Sequence, residues 1–163
     1  MTLPELLAPA GDYDILVTAV NAGADAVYIS GERFGARAFA KNFTLEEIEK
    51  SVEYAHLNGA KIHVTVNTLI NNFEVVDVVK YLFYLYKIGV DAVIVQDLGL
   101  LSYLKKRFPL LELHISTQMA VTGPHSVRML KEEGAVRVVP ARELSLKEMK
   151  LLWMRAVVTA TLQ

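Results

Sequence analysis

The sequence predicts an α/β fold in which parallel strands alternate with helices, and three observations support this prediction. A short phrase, in which Gly is followed by a small residue and an alternating β-branched run, recurs four times along the 163 residues. Capping residues mark the start of a helix in several of the gaps between these phrases. No two-residue hairpin signal occurs, so we expect right-handed helical crossovers between the strands.

The recurring phrase predicts the end of a helix followed at once by a strand. A Gly in the left-handed conformation ends a helix, and the alternating run after it is typical of a buried strand. The four copies are GADAVYIS from Gly23, GAKIHVTVN from Gly59, GVDAVIVQD from Gly89 and GAVRVVPAR from Gly134. Two further strands are predicted without the Gly, at residues 5–8 and at residues 113–116, just after Pro109 ends a helix.

Helix starts are marked by residues that cap the backbone. Thr44 with Glu47 and Ser145 with Glu148 have the spacing of capping boxes. The other predicted helices run from Asp12 to about Ala22, over residues 74–88 and 98–107, and from Gly123-Pro124 onward. The order is therefore six strand–helix pairs, and AVVTATL near the end is a candidate seventh strand.

The chemistry of the strands favours a barrel over an open, doubly wound sheet. Helices cover both faces of an open parallel sheet, so both faces are expected to be apolar. In IHVTVN, residues 62–67, apolar side chains instead alternate with polar ones. A TIM-like (β/α) barrel accounts for this if the polar side chains face its lumen. A complete barrel takes about 250 residues, so residues 1–163 are predicted to be a single truncated domain with six to seven of the eight βα units.

Charge and composition narrow the functional classes. Lys plus Arg (17) nearly balance Asp plus Glu (18), so no overall field steers the chain to nucleic acid or to an anionic membrane. Any anion site must be local. The absence of cysteine excludes disulfides and thiol nucleophiles within these residues and agrees with a cytoplasmic location. No signal peptide, membrane span or membrane partner is predicted.

Several segments together resemble one known family. They are ELLAPAGD at residues 5–12, GADAVYIS with GERFGARAFAKNFT after it, VTVNTL, GVDAVIVQD, HISTQ and VPARELS. In this order they are similar to signature segments of the collagenase-like peptidases, peptidase family U32, over about residues 5–150. The resemblance implies a TIM-like barrel and a peptidase acting on a peptide or protein. It also implies an alternative, because other members hydroxylate bases of tRNA and rRNA or a quinone precursor.

The resemblance also bears on cofactors. The hydroxylating members typically hold an iron–sulfur cluster through cysteines C-terminal to the region represented here. These 163 residues contain no cysteine, so no cofactor is expected within this chain and a cluster is expected only in full-length relatives. The last residues, LLWMRAVVTATLQ, depart from the family pattern, in which a strand leads on to a cysteine-containing segment.

Candidate site residues are those predicted at the carboxyl ends of the strands, where barrel enzymes carry their chemistry. Asp97 and Glu143 are candidate acid–base carboxylates, and Ser116 is a candidate nucleophile. The substrate-binding candidates are polar or basic, namely Arg37, Asn67, Gln96, His114, Gln118 and Arg142. No metal ligands are predicted, because neither an HExxH motif nor a dense histidine cluster occurs.

Structural explanations of the same residues stay open. His63, His114 and Ser116 can instead form a hydrogen-bonded polar interior, and Asp97 can cap the helix that follows it. The long loop at residues 31–43 carries three cations between three phenylalanines. Either its cations join Arg142 in holding a carboxylate or phosphate, or its phenylalanines pack on the barrel mouth.

Three functions are consistent with the sequence. The leading prediction is a peptidase, whose polar pocket binds an amide while Asp97 or Glu143 activates water. The alternative is hydroxylation of an RNA base or quinone precursor, in which rim cations hold the substrate and the cluster cysteines lie outside this chain. The third is a non-catalytic binding or assembly module, because an incomplete barrel exposes sheet edges through which copies can form a homo-oligomer.

Overall fold

The computed structural model describes residues 4–36, 42–156 and 159–160, and its elements alternate as the sequence predicts. The strands are β1 (Leu7–Pro9), β2 (Ala26–Ser30), β3 (Lys61–Val66), β4 (Ala92–Val95), β5 (Glu112–Ile115), β6 (Arg137–Val138) and β7 (Thr159–Ala160). The helices are α1 (Tyr13–Asn21), α2 (Leu45–Leu57), α3 (Val75–Lys87), α4 (Leu98–Arg107), α5 (Pro124–Glu132) and α6 (Leu146–Ala156), with a 3-10 helix at Thr117–Met119. None of the described helices combines the length and the apolar composition needed to span a bilayer.

The strand order identifies the fold. The strands follow one another across the sheet in chain order, β1-β2-β3-β4-β5-β6-β7. The pairings of β1 with β2, β2 with β3, β5 with β6 and β6 with β7 are all parallel. A doubly wound sheet reverses its order at a switch point, whereas a (β/α) barrel does not. The predicted incomplete TIM-like barrel is therefore confirmed, with seven strands in the described part of the chain.

Polar side chains of neighbouring strands share one face of the sheet. The register pairs Tyr28 with His63 and Ser30 with Thr65, and register partners on adjacent strands point to the same side. His63 is 1% exposed, whereas Tyr28, Ser30 and Thr65 are half-buried. The polar face is therefore covered most completely at His63.

Helices begin where the sequence marks them. Ahead of α2, Thr44 Oγ1 accepts the Glu47 N–H at 3.2 Å, and the Glu47 carboxylate accepts the Thr44 N–H at 2.9 Å. Ser145 and Glu148 make the same reciprocal pair ahead of α6, at 3.3 and 2.8 Å. These bonds supply partners for N–H groups that the first helical turn leaves unsatisfied. Two further predicted starts are confirmed, at Asp12 for α1 and at Pro124 for α5.

Four helices end in the same glycine motif. At the end of α1 the Gly23 N–H donates to Val20 O at 3.0 Å, and the Ala24 N–H donates to Ala19 O at 3.1 Å. This pair of bonds is the Schellman motif, which satisfies carbonyls that the helix end leaves exposed. Gly23 has φ +95°, a conformation open to glycine without steric cost. The same bonds and a positive φ occur at Gly59, Gly89 and Gly134, which confirms the predicted helix ends.

The small apolar residue after each glycine belongs to the same motif. Its N–H closes the wider of the two bonds, and its side chain is buried against the helix end. These residues are between 3% and 8% exposed, and they are Ala24, Ala60, Val90 and Ala135. The next strand follows within two residues or fewer, so the motif fixes where each strand begins relative to its helix.

An aspartate in two copies of the phrase ties the amino ends of neighbouring strands together. The Asp25 carboxylate accepts the Leu6 N–H at 2.7 Å, next to β1, and the Asp91 carboxylate accepts the Ile62 N–H at 2.8 Å, in β3. His56 Nε2, near the end of α2, lies 2.9 Å from the same Asp91 oxygen. The sequence pattern alone assigned these aspartates no role.

The chain divides into two compact units, which we call unit 1 (residues 1–66 and 70–93) and unit 2 (residues 67–69 and 94–163). The core of unit 1 includes the fully buried side chains of Leu16, Ile48, Leu82 and Leu85. The core of unit 2 includes those of Leu101, Leu104, Ile115 and Leu130. A single truncated domain stays a prediction.

Two predicted strand boundaries differ from the structure. The strand predicted at residues 5–8 is Leu7–Pro9, and the one predicted at residues 113–116 is Glu112–Ile115. Ser116 leaves the second strand because its hydroxyl accepts the Gln118 N–H and so begins the 3-10 helix. Competition between a side-chain bond and the strand ladder accounts for the earlier end.

Substitution of the capping glycines is expected to separate backbone strain from steric clash. At Gly59 (φ +76°) an added Cβ meets nothing within 4 Å, so Gly59→Ala is expected to cost only the left-handed strain, about 1–2 kcal/mol. At Gly134 (φ +101°) the Cβ would lie 2.7 Å from Lys105 Cδ. Gly134→Ala is therefore expected to destabilise the protein by a further 1 kcal/mol or so.

The control is Gly11→Ala, because Gly11 has no positive φ and no atom within 4 Å of an added Cβ. Urea unfolding of the three variants measures the order of stability. Equal losses at Gly59 and Gly134 would contradict the clash with Lys105, and no loss at Gly59 would contradict the left-handed cap.

Candidate functional site

Ser116 lies directly after β5, at the carboxyl end of a strand. Its N–H donates to Val95 O at 2.8 Å, which holds it against the end of β4. Its Oγ accepts the Gln118 N–H at 3.2 Å, and Ala120, with φ +53°, ends the short helix that follows. Only 2% of Ser116 is exposed. The local backbone thus holds the hydroxyl in a buried position.

Asn67, which follows a different strand, donates a hydrogen bond to the Ser116 hydroxyl. It follows β3 in the sequence and belongs to unit 2, and its Nδ2 donates to Ser116 Oγ at 3.2 Å. Ser116 Oγ therefore receives two N–H donors, and no imidazole or carboxylate of the described residues hydrogen-bonds to it. A serine nucleophile needs an adjacent base to take its proton. This arrangement forms a fixed polar corner, and a nucleophilic role of Ser116 stays a prediction.

A buried histidine and a buried arginine lie side by side on the neighbouring strands. The register of β5 and β6 pairs His114 with Arg137, and these residues are 1% and 8% exposed. Adjacent strands lie about 4.8 Å apart, so the two side chains emerge together on one face. His114 Nε2 also lies 3.1 Å from Glu112 Oε2. The guanidinium offers five donors in a planar array, which suits a carboxylate, a phosphate or a ring carbonyl.

The two candidate carboxylates occupy different settings. Asp97 Oδ1 accepts the Leu100 N–H at 2.7 Å and caps α4, as the structural alternative proposed. Glu143 is exposed, beside the exposed Arg142, in the turn before α6. Participation of either carboxylate in catalysis stays a prediction.

The remaining candidates are placed as follows. Gln96 is half-buried between β4 and α4, and Gln118 is exposed on the 3-10 helix. Arg37 lies outside the described residues. Of the predicted set, the structure joins Asn67 directly to Ser116 and leaves Arg142 at the surface of unit 2.

Arg137 is the residue that the sequence analysis missed. The signal for it was available, because a single charge interrupts the apolar run AVRVV. A charged residue is seldom buried unless it has partners. Its position opposite His114 makes it part of the same polar face.

The assembled side chains offer mainly hydrogen-bond donors. The Asn67 amide follows β3, the His114 imidazole lies within β5, and the Arg137 guanidinium lies at the start of β6; each can donate hydrogen bonds. Among the described residues, no group of three or more His, Asp or Glu side chains is placed to share a metal ion. A substrate-binding role for these side chains stays a prediction.

Comparison with known proteins identifies the family of the chain and several similar proteins. Residues 11–161 match the profile of peptidase family U32. The chain is 44% identical over 150 residues to a tRNA hydroxylation protein of Bacillus subtilis (strain 168), covering 90% of this chain and 36% of that protein. It is 43% identical over 148 residues to the 23S rRNA 5-hydroxycytidine synthase of Escherichia coli (strain K12), covering 91% of this chain and 22% of the relative.

Further likenesses extend to an archaeal protein and to a solved structure. The chain is 38% identical over 150 residues to an uncharacterized protease of Methanocaldococcus jannaschii, covering 92% of this chain and 36% of that protein. The solved U32 peptidase Mk0906 superposes with a TM-score of 0.81 at 18% identity, covering 98% of this chain and 68% of that one. At such identity the superposition supports the fold alone. The chain spans about a third or less of the length of these curated relatives.

The predicted peptidase function is wrong. The two relatives at 44% and 43% identity are named for hydroxylation of tRNA and for synthesis of a hydroxylated rRNA base, and neither is named as a hydrolase. The assignment as hydrolase and protease, and with it the peptide substrate, is therefore withdrawn.

Substitution of Asp97 is expected to test its role as a cap. Asp97→Ala removes the acceptor for the Leu100 N–H and should lower the free energy of unfolding by about 1 kcal/mol. Asp97→Asn keeps a side-chain oxygen at the same place and should change it by less than about 0.5 kcal/mol. Chemical denaturation measures both variants. Equal stability of Asp97→Ala and the parent protein would contradict the cap.

Proposed function

We propose that this chain, which belongs to peptidase family U32, forms the barrel region of a protein that hydroxylates a base in tRNA or rRNA. The supporting observation is its 44% and 43% identity, along nine-tenths of its length, to proteins named for tRNA hydroxylation and for 5-hydroxycytidine synthesis in rRNA. Because the chain spans 36% and 22% of those relatives, the proposal concerns the complete protein.

In this proposal the polar strand ends of unit 2 bind the base to be modified. A pyrimidine presents ring carbonyls and nitrogen acceptors, and Asn67 and Arg137 carry donors that match them. Ser116 holds the Asn67 amide at 3.2 Å and so acts as a positioning residue. Gln96, His114 and Gln118 add further polar groups, and the exposed Arg142 supplies positive charge for RNA phosphates. A substrate-binding role of Arg37 stays a prediction.

Cluster chemistry would have to come from outside these residues. An iron–sulfur cluster needs cysteine thiolates, and the chain has none. The described residues also provide no grouped His, Asp or Glu ligands in their place. The residues present thus do not fit such a group, and no step of the reaction is derived from it.

RNA replaces the peptide as the proposed partner. With 17 basic against 18 acidic residues, the chain has no general attraction to nucleic acid. Contact through local cations on the strand-end surface, with recognition of an unpaired base, is consistent with that balance. Such a substrate is met in the cytoplasm, where we expect the protein. Association of copies through open sheet edges stays a prediction.

Deletion of the gene from its native host tests the proposed function. Nucleosides from digested tRNA and rRNA are compared by mass spectrometry before deletion, after deletion and after restoration of the complete gene. One hydroxylated pyrimidine is expected to disappear and to return with the gene. An unchanged nucleoside profile after deletion would overturn the proposal.

Variants in the restored gene test the site. Asn67→Ala removes one hydrogen bond of the polar corner and Ser116→Ala removes two. Each variant is expected to lower the hydroxylated fraction by about tenfold under limiting expression. Lys50→Ala, on the exposed surface of α2, is the matched control and should restore the full level. Equal restoration by all three variants would remove this corner from the proposed mechanism.

A further inference from the structure

The segment from α4 to the end of α5, in unit 2, carries a concentration of positive charge that the proposed function does not use. Between Asp97 and Glu132 the chain has five Lys or Arg side chains and one carboxylate, that of Glu112. Over the whole chain, 17 such cations are balanced by 18 acidic side chains. An anion can therefore be attracted to this segment although the chain as a whole has almost no net charge.

Three consecutive cations form the end of α4. Lys105, Lys106 and Arg107 lie in its last turn, and all three side chains are exposed. The Lys105 ammonium donates to the carbonyl oxygen of Glu132, at the end of α5. This contact brings the last turn of α5, which carries the exposed Lys131, next to the end of α4. We call Lys105, Lys106 and Arg107 the basic turn.

The helix dipole explains only part of this charge. A helix carboxyl end carries about half a negative elementary charge, which nearby cations offset. The basic turn has three positive charges, and Lys105 also bonds to a carbonyl at the end of α5. Lys106 and Arg107 make no ion pair or side-chain hydrogen bond within the described part of the chain. Their charges are therefore available to a partner.

The setting of the basic turn favours a partner with many negative charges. Glu132 and Glu133 border it and lower the local positive charge, although neither pairs with Lys106 or Arg107. Exposed cations attract a single anion only weakly, because water and salt screen the interaction. A polyanion gains much more, because several contacts together release the counterions condensed along it.

We propose that the basic turn is a contact surface for the phosphate backbone of RNA. The choice of RNA rests on the proposed function. Phosphate contacts position a nucleic acid without reading its bases, so the basic turn adds affinity and does not select the base. It comes before the amino end of β5, whereas Ser116 follows the carboxyl end of the same strand. This four-residue strand spans about 13 Å, so the basic turn is separate from the polar corner.

An anionic membrane is the rival partner. Leu110 lies three residues after Arg107 and is 82% exposed, and an apolar side chain beside cations suits a lipid surface. A single leucine buries little apolar area compared with the whole face of an amphipathic helix. RNA is favoured because relatives at 44% and 43% identity are named for tRNA hydroxylation and for synthesis of a hydroxylated rRNA base.

The salt dependence of RNA binding tests the basic turn in the protein expressed from its complete gene. Total tRNA from the deletion strain is the probe, because phosphate contacts do not depend on sequence. The slope of log affinity against log salt concentration is measured between about 50 and 200 mM salt. Lys106→Ala combined with Arg107→Ala is expected to reduce the slope by about 1.4–1.8, since each phosphate contact contributes about 0.7–0.9. The affinities of variant and parent should converge at high salt.

Two controls accompany this variant. Lys50→Ala combined with Lys87→Ala removes the same number of charges from exposed positions of α2 and α3, and it should leave the slope unchanged. Arg107→Lys keeps the charge and should also keep the slope. If the combined Lys106 and Arg107 variant melts at a lower temperature than the parent, each single alanine variant should reduce the slope by about 0.7–0.9.

Three results overturn the proposal. The first is an unchanged slope in the Lys106 and Arg107 variants, or no binding of tRNA by the parent. The second is an equal reduction by the lysine control, which would reflect overall charge. The third is a loss of affinity that persists at high salt, because a lost phosphate contact would be screened there.

Vesicles of pure phosphatidylserine and of pure phosphatidylcholine test the rival partner. Binding to phosphatidylserine that depends on Lys106 and Arg107, with no change in the slope for tRNA, makes the membrane the partner and overturns the RNA contact. The salt slope also separates this proposal from the proposed function. An unchanged nucleoside profile after gene deletion, with a slope that still depends on the basic turn, refutes the function and leaves the RNA contact. Restored hydroxylation with an unchanged slope does the reverse.

Discussion

The glycine-ended helix is the constraint on which the rest of the structure depends. At each of four helix ends, two backbone bonds and a left-handed glycine turn the chain into the next strand within two residues or fewer. The start of the strand is thereby fixed relative to the helix, and its carboxyl end follows a few residues later. Asp25 and Asp91 reinforce this by bonding to the amino ends of neighbouring strands in unit 1. The positions of the polar side chains after each strand follow from this repeated joint.

Two buried hydroxyl groups illustrate how a fold can use the same group differently. Ser116 Oγ receives donors from Asn67 and Gln118, so it is satisfied and acts as part of the scaffold. Tyr81 Oη has no hydrogen-bond partner in the described part of the chain and is packed against Gly31, so its burial lowers stability. A satisfied buried group holds the local shape, whereas an unsatisfied one carries a cost.

The family is named for peptidases, whereas two relatives of the chain are named for RNA hydroxylation and synthesis of a hydroxylated rRNA base. A (β/α) barrel hosts many reactions, so the fold does not decide between hydrolysis and base modification. Relatives at 44% and 43% identity are named for RNA hydroxylation and synthesis of a hydroxylated rRNA base, and these names count against the predicted peptidase. Because the chain spans 36% and 22% of those proteins, base modification by the complete protein is a proposal.

The sequence by itself determined the order of elements and the helix ends, because caps, glycine motifs and strand alternation are local signals. The strict order of strands and helices also predicted the barrel, and the signature segments identified the family. The sequence also identified Asn67 and Ser116 separately, as strand-end residues. Only the tertiary structure decided that these two bond across 49 residues, that Arg137 is buried beside His114, and that Tyr81 lies against Gly31. These contacts depend on strand register and on the rotation of helices against the sheet. Neither leaves a signal in local sequence, since each is set by packing between distant segments.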